Sequence, residues 1–215
     1  MIKRAFDVIV AVAALIVTAP LMLVIAVLIW LEDREPALLR QSRVGLHGED
    51  FELFKFRTMV PDAHALGTGW LIAEHDPRIT RVGKVLRKWS LDELPQVFNV
   101  LRGEMSIVGP RPTLRYQVDQ YTPFQRRRLA VRPGITGWAQ IRGRNTLGWP
   151  QRIELDVWYV EHCSLRLDLQ IILRTVPMLL SPEHVYNEAR GDWGEVVDPA
   201  GHAEVTPDAP AETQA

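Results

Sequence analysis

Between Val8 and Leu31 the chain carries 24 consecutive residues without a single charge. Lys3, Arg4 and Asp7 precede the run, and Glu32, Asp33, Arg34 and Glu35 follow it. As a straight helix this stretch would be about 36 Å long, enough to cross a hydrocarbon core of about 30 Å. It is therefore read as a membrane segment. Cleavage as a signal peptide is disfavoured, because Pro20 directly follows the small residues Val17-Thr18-Ala19 and the apolar run continues past them.

Two membrane readings remain. One is an ordinary span kinked at Pro20, which neighbours can tolerate by resatisfying the freed carbonyl. The other starts from the central position of Pro20, which divides the run into arms of 12 residues (8–19) and 11 residues (21–31). Each arm is about 16–18 Å long, half a bilayer. Lys3 and Arg4 lie before the run and Arg34, Arg40 and Arg43 after it, so the positive-inside tendency places both flanks on one side. A helix-break-helix that enters and leaves by the same face satisfies this. Thr18 can back-bond to the preceding turn and help the bend.

The remainder divides by charge. Residues 1–181 hold 24 basic and 18 acidic side chains, whereas the segment from 182 onward holds eight acids against Arg190 alone. From about 195 the chain is rich in Ala, Pro, Asp and Glu without apolar period, the composition of a disordered acidic tail. The domain plan expected is an anchor over 1–35, a folded domain at the cytoplasmic membrane surface over 36–194, and a tail over 195–215. A single cysteine, Cys163, excludes an internal disulfide and a thiolate zinc cluster.

Residues 36–60 read as short strands or extended loops punctuated by Gly45, Gly48 and Pro61. Residues 82–91 form a short amphipathic helix with Lys84, Arg87 and Lys88 on its basic face, and a second helix runs from 92 to 101, closed by Gly103. Residues 121–131 are a basic helical stretch, 151–163 are helical, and 165–180 are amphipathic enough to lie in an interface. The fold class expected is mainly α with short β elements (α+β): a re-entrant membrane helix, interfacial amphipathic helices and a compact cytoplasmic domain.

No P-loop, dinucleotide fingerprint, HExxH helix or GxSxG elbow is present. The chemistry-bearing feature is Ser90-Leu91-Asp92-Glu93-Leu94-Pro95, two adjacent carboxylates at a helix start. Ser90 and Glu93 are spaced as a capping box. Pro95 would then be the fifth helical residue, whereas with Asp92 as N-cap it falls in the tolerant first turn. Either register aims both acids at the positive end of a helix dipole, where phosphate also binds. A carboxylate nucleophile beside a second carboxylate able to hold Mg²⁺ suits phosphoryl transfer. An aspartate with an ordinary pKa near 4 needs no activating base. The rival class is a non-enzymatic membrane adaptor whose basic body binds anionic lipid or nucleic acid.

The stretch DPRITRVGKVLRKWSLDELPQVFNVLRGEMSIVGPRP (76–112), with FKFRTM (54–59) before it and RPGITGWAQIRGRN (132–145) after it, closely resembles the bacterial sugar transferase family of monotopic phosphoglycosyl transferases. The resemblance covers roughly residues 2–180. It implies transfer of a sugar phosphate from a UDP-sugar to undecaprenyl phosphate, with release of UMP, at the cytoplasmic face of the bacterial inner membrane. It also implies that Asp92 attacks to form an aspartyl phosphosugar, that Glu93 and Asp92 hold Mg²⁺, and that Arg111 of Pro110-Arg111-Pro112 contacts the nucleotide phosphates. Lys55, Arg57, Arg87 and Arg144 match charged positions lining the family site, and Asp168 a supporting one. The partners implied are the UDP-sugar, undecaprenyl phosphate and the lipid bilayer, with no nucleic acid; a homodimer is compatible. Two departures stand out: Ala19-Pro20 replaces the frequent Ser-Pro at the membrane bend, and the long multi-span N-terminal region of larger members is not seen. The chain thus resembles a minimal catalytic unit followed by an acidic tail.

Overall fold

The apolar run is the middle of one long helix, α1 (Ile2–Asp33), in a computed structural model that describes residues 2–61, 63, 76–143 and 147–180. The helical assignment continues through Pro20 without interruption. Proline removes one amide donor, and the Thr18 hydroxyl, donating to the Ala14 carbonyl at 2.8 Å, takes up a carbonyl of the same region. Among the described residues α1 is the one helix long and apolar enough to cross a membrane.

Both ends of α1 are fastened to the same body. Near its start, Arg4 donates to the carbonyls of Val100 (2.6 Å) and Leu101 (3.2 Å), and the Asp7 carboxylate accepts from Ser106 Oγ (2.9 Å) and Ile107 N (3.1 Å). At its far end Glu32 accepts from the backbone amides of Arg81 (2.8 Å) and Val82 (3.1 Å). That carboxylate lies at the N-terminus of α2 (Arg81–Lys88), where the exposed amides and the dipole favour an anion. Ala11 packs in the main core with Leu53, Val97, Val100, Met105 and Ile107, while Met22, Ile25 and Ile29 pack against Phe56 and Leu86.

The body is mainly helical with short strands, an α+β architecture. A hairpin, β1 (Leu38–Val44) and β2 (Asp50–Phe56), pairs antiparallel from Leu38 opposite Phe56 to Val44 opposite Asp50. After α2 a single 3-10 turn (Leu91–Glu93) leads into α3 (Gln96–Arg102), ended by Gly103 at φ +86°. β3 (Ser106–Val108) lies parallel to β4 (Gly134–Thr136). Between them come α4 (Arg115–Asp119) and α5 (Pro123–Arg126), the latter continued as a 3-10 turn to Ala130. α6 (Trp138–Gly143), α7 (Trp149–His162) and α8 (Leu165–Leu180) complete the described chain.

The β3–β4 junction depends on close backbone approach. A Cβ on Gly109 would lie 2.3 Å from the Arg132 carbonyl oxygen, and one on Gly134 would lie 2.1 Å from the Gly109 nitrogen. With no side chains there, Gly109 N reaches the Thr136 carbonyl (2.9 Å) and Gly134 N the Pro110 carbonyl (3.0 Å). The RPGITG stretch thereby forms a backing for Pro110 and Arg111.

α8 presents Leu165, Leu169, Leu173, Val176 and Leu179 outward while burying Leu167 and Ile171, an apolar outer stripe on an amphipathic helix. The outward residues of α1 are also apolar, including Ile9, Ile16, Val17, Leu23, Val24 and Leu31. The tail expected over 195–215 lies outside the described residues.

Candidate active site

Ser90 turns the chain between α2 and the acidic pair with a left-handed backbone, φ 54° and ψ 24°. This conformation is sparsely populated for a residue with a side chain. It rules out the capping box, because an N-cap needs an extended backbone, and the Ser90 side chain makes no cap hydrogen bond. Nor does Asp92 serve as the cap of a helix starting there. It sits inside the 3-10 turn, and Pro95 stands at the N-cap of α3. The acids thus occupy a tight turn ahead of α3.

Lys55 on β2 faces them. Its Nζ lies 3.0 Å from Glu93 Oε1 and 3.6 Å from Asp92 Oδ2. Asn99 fixes this register from the buried side of α3: its Oδ1 accepts from the Phe54 amide (3.0 Å) and its Nδ2 donates to the Glu52 carbonyl (2.6 Å) and the Glu104 carboxylate (2.7 Å). An asparagine in the otherwise apolar run Val97-Phe98-Asn99-Val100 was the signal available in the sequence. Arg111 completes the frame, placing Nη2 2.6 Å from Glu93 Oε1 and Nη1 3.4 Å from Oε2.

The two carboxylates therefore live in different environments. Glu93 is desolvated, but the Arg111 and Lys55 charges and their hydrogen bonds outweigh that and hold its acid well below the usual range. Asp92 is pushed the other way, chiefly by burial and further by the Glu93 charge, with Lys55, Arg87 and Arg111 offsetting part. The ordinary pKa expected for Asp92 is thus corrected upward. Arg111 is in turn held more firmly protonated by Glu93.

The remaining sequence candidates are placed as follows. Arg87, in the last turn of α2, donates from Nε to Thr58 Oγ1 at 2.8 Å and lines the same cleft. Arg57 lies 3.8 Å from Glu35, with its Nε buried and without a hydrogen-bond partner among the described residues. Asp168 is fully buried and does not line the cleft; its carboxylate bonds Lys3 Nζ (2.6 Å) and the Tyr159 hydroxyl (2.6 Å). Lys3 also donates to the Val108 carbonyl (3.2 Å), so this network joins α1, α7 and α8 to the strand that precedes Arg111. Arg144 lies outside the described residues.

The cleft holds about 1340 Å³. Lys55, Arg57, Arg87, Asp92, Glu93 and Arg111 form polar lining, whereas Val10 and Ala14 of α1 and Ile172, Val176 and Leu179 of α8 give apolar lining. Sequence reasoning missed one buried pair there: Arg128, in the stretch expected to be a basic helix, is ion-paired with Asp156 of α7. Arg128 also donates to the Tyr121 hydroxyl (2.6 Å) and the Arg111 carbonyl (2.9 Å). Their separation of 28 residues leaves no local signature.

As a metal site the donor set is small. Among the described residues no group of three His, Cys, Asp or Glu side chains is suited to a metal. Asp92 and Glu93 offer hard oxygen atoms, and Mg²⁺ commonly takes one or two carboxylates and completes its shell with water and substrate phosphate. The pair fits that kind of site and not a cage built by protein alone.

The family described as bacterial sugar transferase matches residues 1–182. The chain is 44% identical over 184 residues to the uncharacterized sugar transferase EpsL of Bacillus subtilis (strain 168), covering 86% of this chain and 90% of that one. It is 45% identical over 195 residues to the UDP-glucose:undecaprenyl-phosphate glucose-1-phosphate transferase of Caulobacter vibrioides, covering 86% and 72%. Over 186 residues it is 44% identical to the UDP-N-acetylgalactosamine-undecaprenyl-phosphate N-acetylgalactosaminephosphotransferase of Aeromonas hydrophila, covering 84% of this chain but 44% of that longer protein.

Proposed function

The chain belongs to the bacterial sugar transferase family, and from that premise we propose that it moves a sugar 1-phosphate from a UDP-sugar to undecaprenyl phosphate in two covalent half-reactions. The observation that carries this reading is the unequal acidic pair. Glu93 is engaged at close range by Arg111 and Lys55, while the ion pair found for Asp92 among the described residues is the longer one, Lys55 at 3.6 Å. Asp92 is thus the carboxylate with an oxygen to offer. Membership of a transferase family sets aside the adaptor alternative.

In the first half-reaction an Asp92 oxygen attacks the sugar-bearing phosphorus, a phosphorus–oxygen bond forms, and the bond to UMP breaks with its electron pair leaving on UMP. In the second, an oxygen of undecaprenyl phosphate attacks the same phosphorus and the bond to Asp92 breaks, giving undecaprenyl-diphosphate-sugar and restoring the carboxylate. Lys55 and Arg111 offset the charge gathered around the phosphoryl group. Mg²⁺, held by Asp92 and Glu93, would supply further neutralisation of phosphate charge. The raised pKa of Asp92 makes its carboxylate a somewhat stronger nucleophile while leaving it ionised once the pH exceeds that pKa.

The setting fits a lipid acceptor. The exposed apolar faces of α1 and α8 suit insertion into the cytoplasmic leaflet of the inner membrane, and the cleft reaches from the charged pair to residues of both helices. With Arg4, Asp7 and Glu32 all bonded to one body, both ends of α1 belong on one side. This supports a re-entrant anchor, carried by a helix that runs through Pro20 without the break expected from the sequence.

The test uses the full chain in lipid nanodiscs with a panel of UDP-sugars. One donor should release UMP when undecaprenyl phosphate is present, and should leave labelled sugar phosphate on the protein when lipid is withheld. Release of UMP with no trapped adduct and strictly sequential kinetics would overturn the covalent route; no UMP from any donor would overturn the reaction.

A further inference from the structure

The cleft contains two arginines that the acidic pair does not account for. Arg43, at the end of β1, and Arg152, in the first turn of α7, line it together with Arg111 and Asp92. Among the described residues neither makes an ion pair. Arg43 donates only to neutral acceptors, the Ser42 carbonyl (3.0 Å) and Gln41 Oε1 (3.0 Å), and Arg152 donates from Nε to the Leu147 carbonyl (2.9 Å). The other cations of the lining have acids in reach or other bonding: Lys55 and Arg111 with Glu93, Arg57 with Glu35, Arg128 with Asp156, and Arg87 with Thr58.

We propose that Arg43 and Arg152, together with Arg111, form a phosphate seat used twice, first by the phosphate of departing UMP and then by the phosphate of the lipid acceptor. The inference rests on the two-step reading above and on its stereochemistry. In-line displacement puts the leaving oxygen opposite the attacking one. UMP therefore leaves from the side opposite Asp92, and the lipid phosphate must attack from that same side to expel Asp92. One seat has to hold a phosphate there in both half-reactions. Arg111 alone is poorly placed to do so, because both of its terminal nitrogens are engaged by Glu93. Arginine's planar fork suits phosphate oxygens, and a guanidinium bonded to neutral acceptors keeps its full charge for a ligand.

The surroundings support an anionic occupant. Burial and the neighbouring Arg111 pull Arg43 down to about 10, and the same two causes lower Arg152, with Asp156 offsetting only part. Both remain protonated at neutral pH, so each is a cation repelled by Arg111 within the cleft. Such an arrangement counts against the folded state, and function is the usual reason for retaining it.

The experiment compares UMP with uridine as probes on the full chain in nanodiscs, using Arg43→Gln and Arg152→Gln, and then measures the KM for undecaprenyl phosphate. Loss of one charge-assisted contact should weaken UMP by about tenfold or more, leave uridine within about twofold, and raise the lipid KM by a similar factor. Melting temperature should hold or rise in Arg43→Gln, since a half-buried charge repelled by Arg111 has been removed; a structural cation would give the opposite. Arg152→Lys keeps charge if the glutamine disturbs the Leu147 turn, and should recover part of the UMP affinity. Unchanged UMP affinity in both variants, uridine weakening in step with UMP, or a lipid KM that stays constant while UMP weakens would each overturn the proposal. Failure of the wild-type chain to form an adduct would instead defeat the two-step reading, and the UMP and uridine comparison does not depend on that adduct.

Discussion

Replacing Asp156 by asparagine should be among the most damaging single changes in the body. Asp156 and Arg128 each keep 3% of their side-chain surface exposed, and the pair is the counter-charge of an arginine that also holds the Tyr121 hydroxyl and the Arg111 carbonyl. Removing one partner of a buried pair leaves an uncompensated charge and costs about 3–5 kcal/mol. For a body of this size each kcal/mol lowers the melting temperature by about 2–4 °C, so Asp156→Asn should melt roughly 6–20 °C lower. Taking out both charges with Asp156→Leu and Arg128→Met removes the stranded cation. What remains is the loss of two hydrogen bonds, at Tyr121 and Arg111, worth about 1 kcal/mol each. The double variant should therefore be more stable than Asp156→Asn alone. Thermal unfolding of wild type, Asp156→Leu, Arg128→Met and the double variant in one neutral detergent measures the cycle, with Asp156→Asn run beside them, and added salt should barely change the result because the pair is buried. A single variant within 1 kcal/mol of wild type, or a double variant costing the sum of the two singles, would refute the reasoning.

Asp92→Asn should lower turnover by roughly 10⁴-fold and abolish the lipid-free adduct while leaving the melting temperature nearly unchanged; near-normal activity would remove Asp92 from the nucleophile's role. Adduct formation should rise with pH through the Asp92 pKa, which burial and Glu93 raise and Lys55 lowers. Lys55→Met should therefore shift that acid limb to higher pH, and a limb that stays put or moves down would contradict the assignment. For topology, Cys163 is exposed and Ile2 is exposed, so native Cys163, and Ile2→Cys in a Cys163→Ser background, should show the same accessibility to an impermeant thiol reagent in intact cells. Opposite accessibility would sink the re-entrant anchor.

What the sequence disclosed follows the range of the interactions involved. The apolar run, the helix at 165–180 and the Gly103 stop depend on neighbours within a few residues and are legible directly. β2 was readable only as extended because it is covered on both faces: Leu53 joins the main core, while Phe54 is buried beneath the Arg102 guanidinium, whose carbon lies 4.6 Å from the ring centre. Alternation is lost when both faces are buried. The three-residue strands β3 and β4 are too short to show a period, and they pair across 28 residues. Ser90 misled in an instructive way, since serine three residues before glutamate is a local capping signal and the fold uses the same serine at a left-handed turn. Bringing Lys55, Asp92, Glu93 and Arg111 together required the family resemblance, because nothing in their spacing specifies one cleft.

The same few bonds that seat the anchor also set the position of Arg111. Lys3, at the start of α1, meets buried Asp168 and the Val108 carbonyl, and the Tyr159 hydroxyl lies 3.1 Å from that carbonyl. One residue beyond Val108, Gly109 and Pro110 are tied to β4, and Arg111 follows, its own carbonyl held by Arg128. Buried charges paired and bonded this fully resist small displacements, because any shift strands a charge away from water. The depth at which α1 sits and the place where Arg111 meets Glu93 are therefore not independent adjustments. On the proposed reaction, a lipid phosphate arriving at headgroup height and a nucleotide phosphate arriving from the aqueous side would have to meet the same phosphorus, and a rigid connection between anchor and guanidinium would fix where that happens. The buried position of Asp168, away from the cleft, is then explained by what it aligns and not by what it touches.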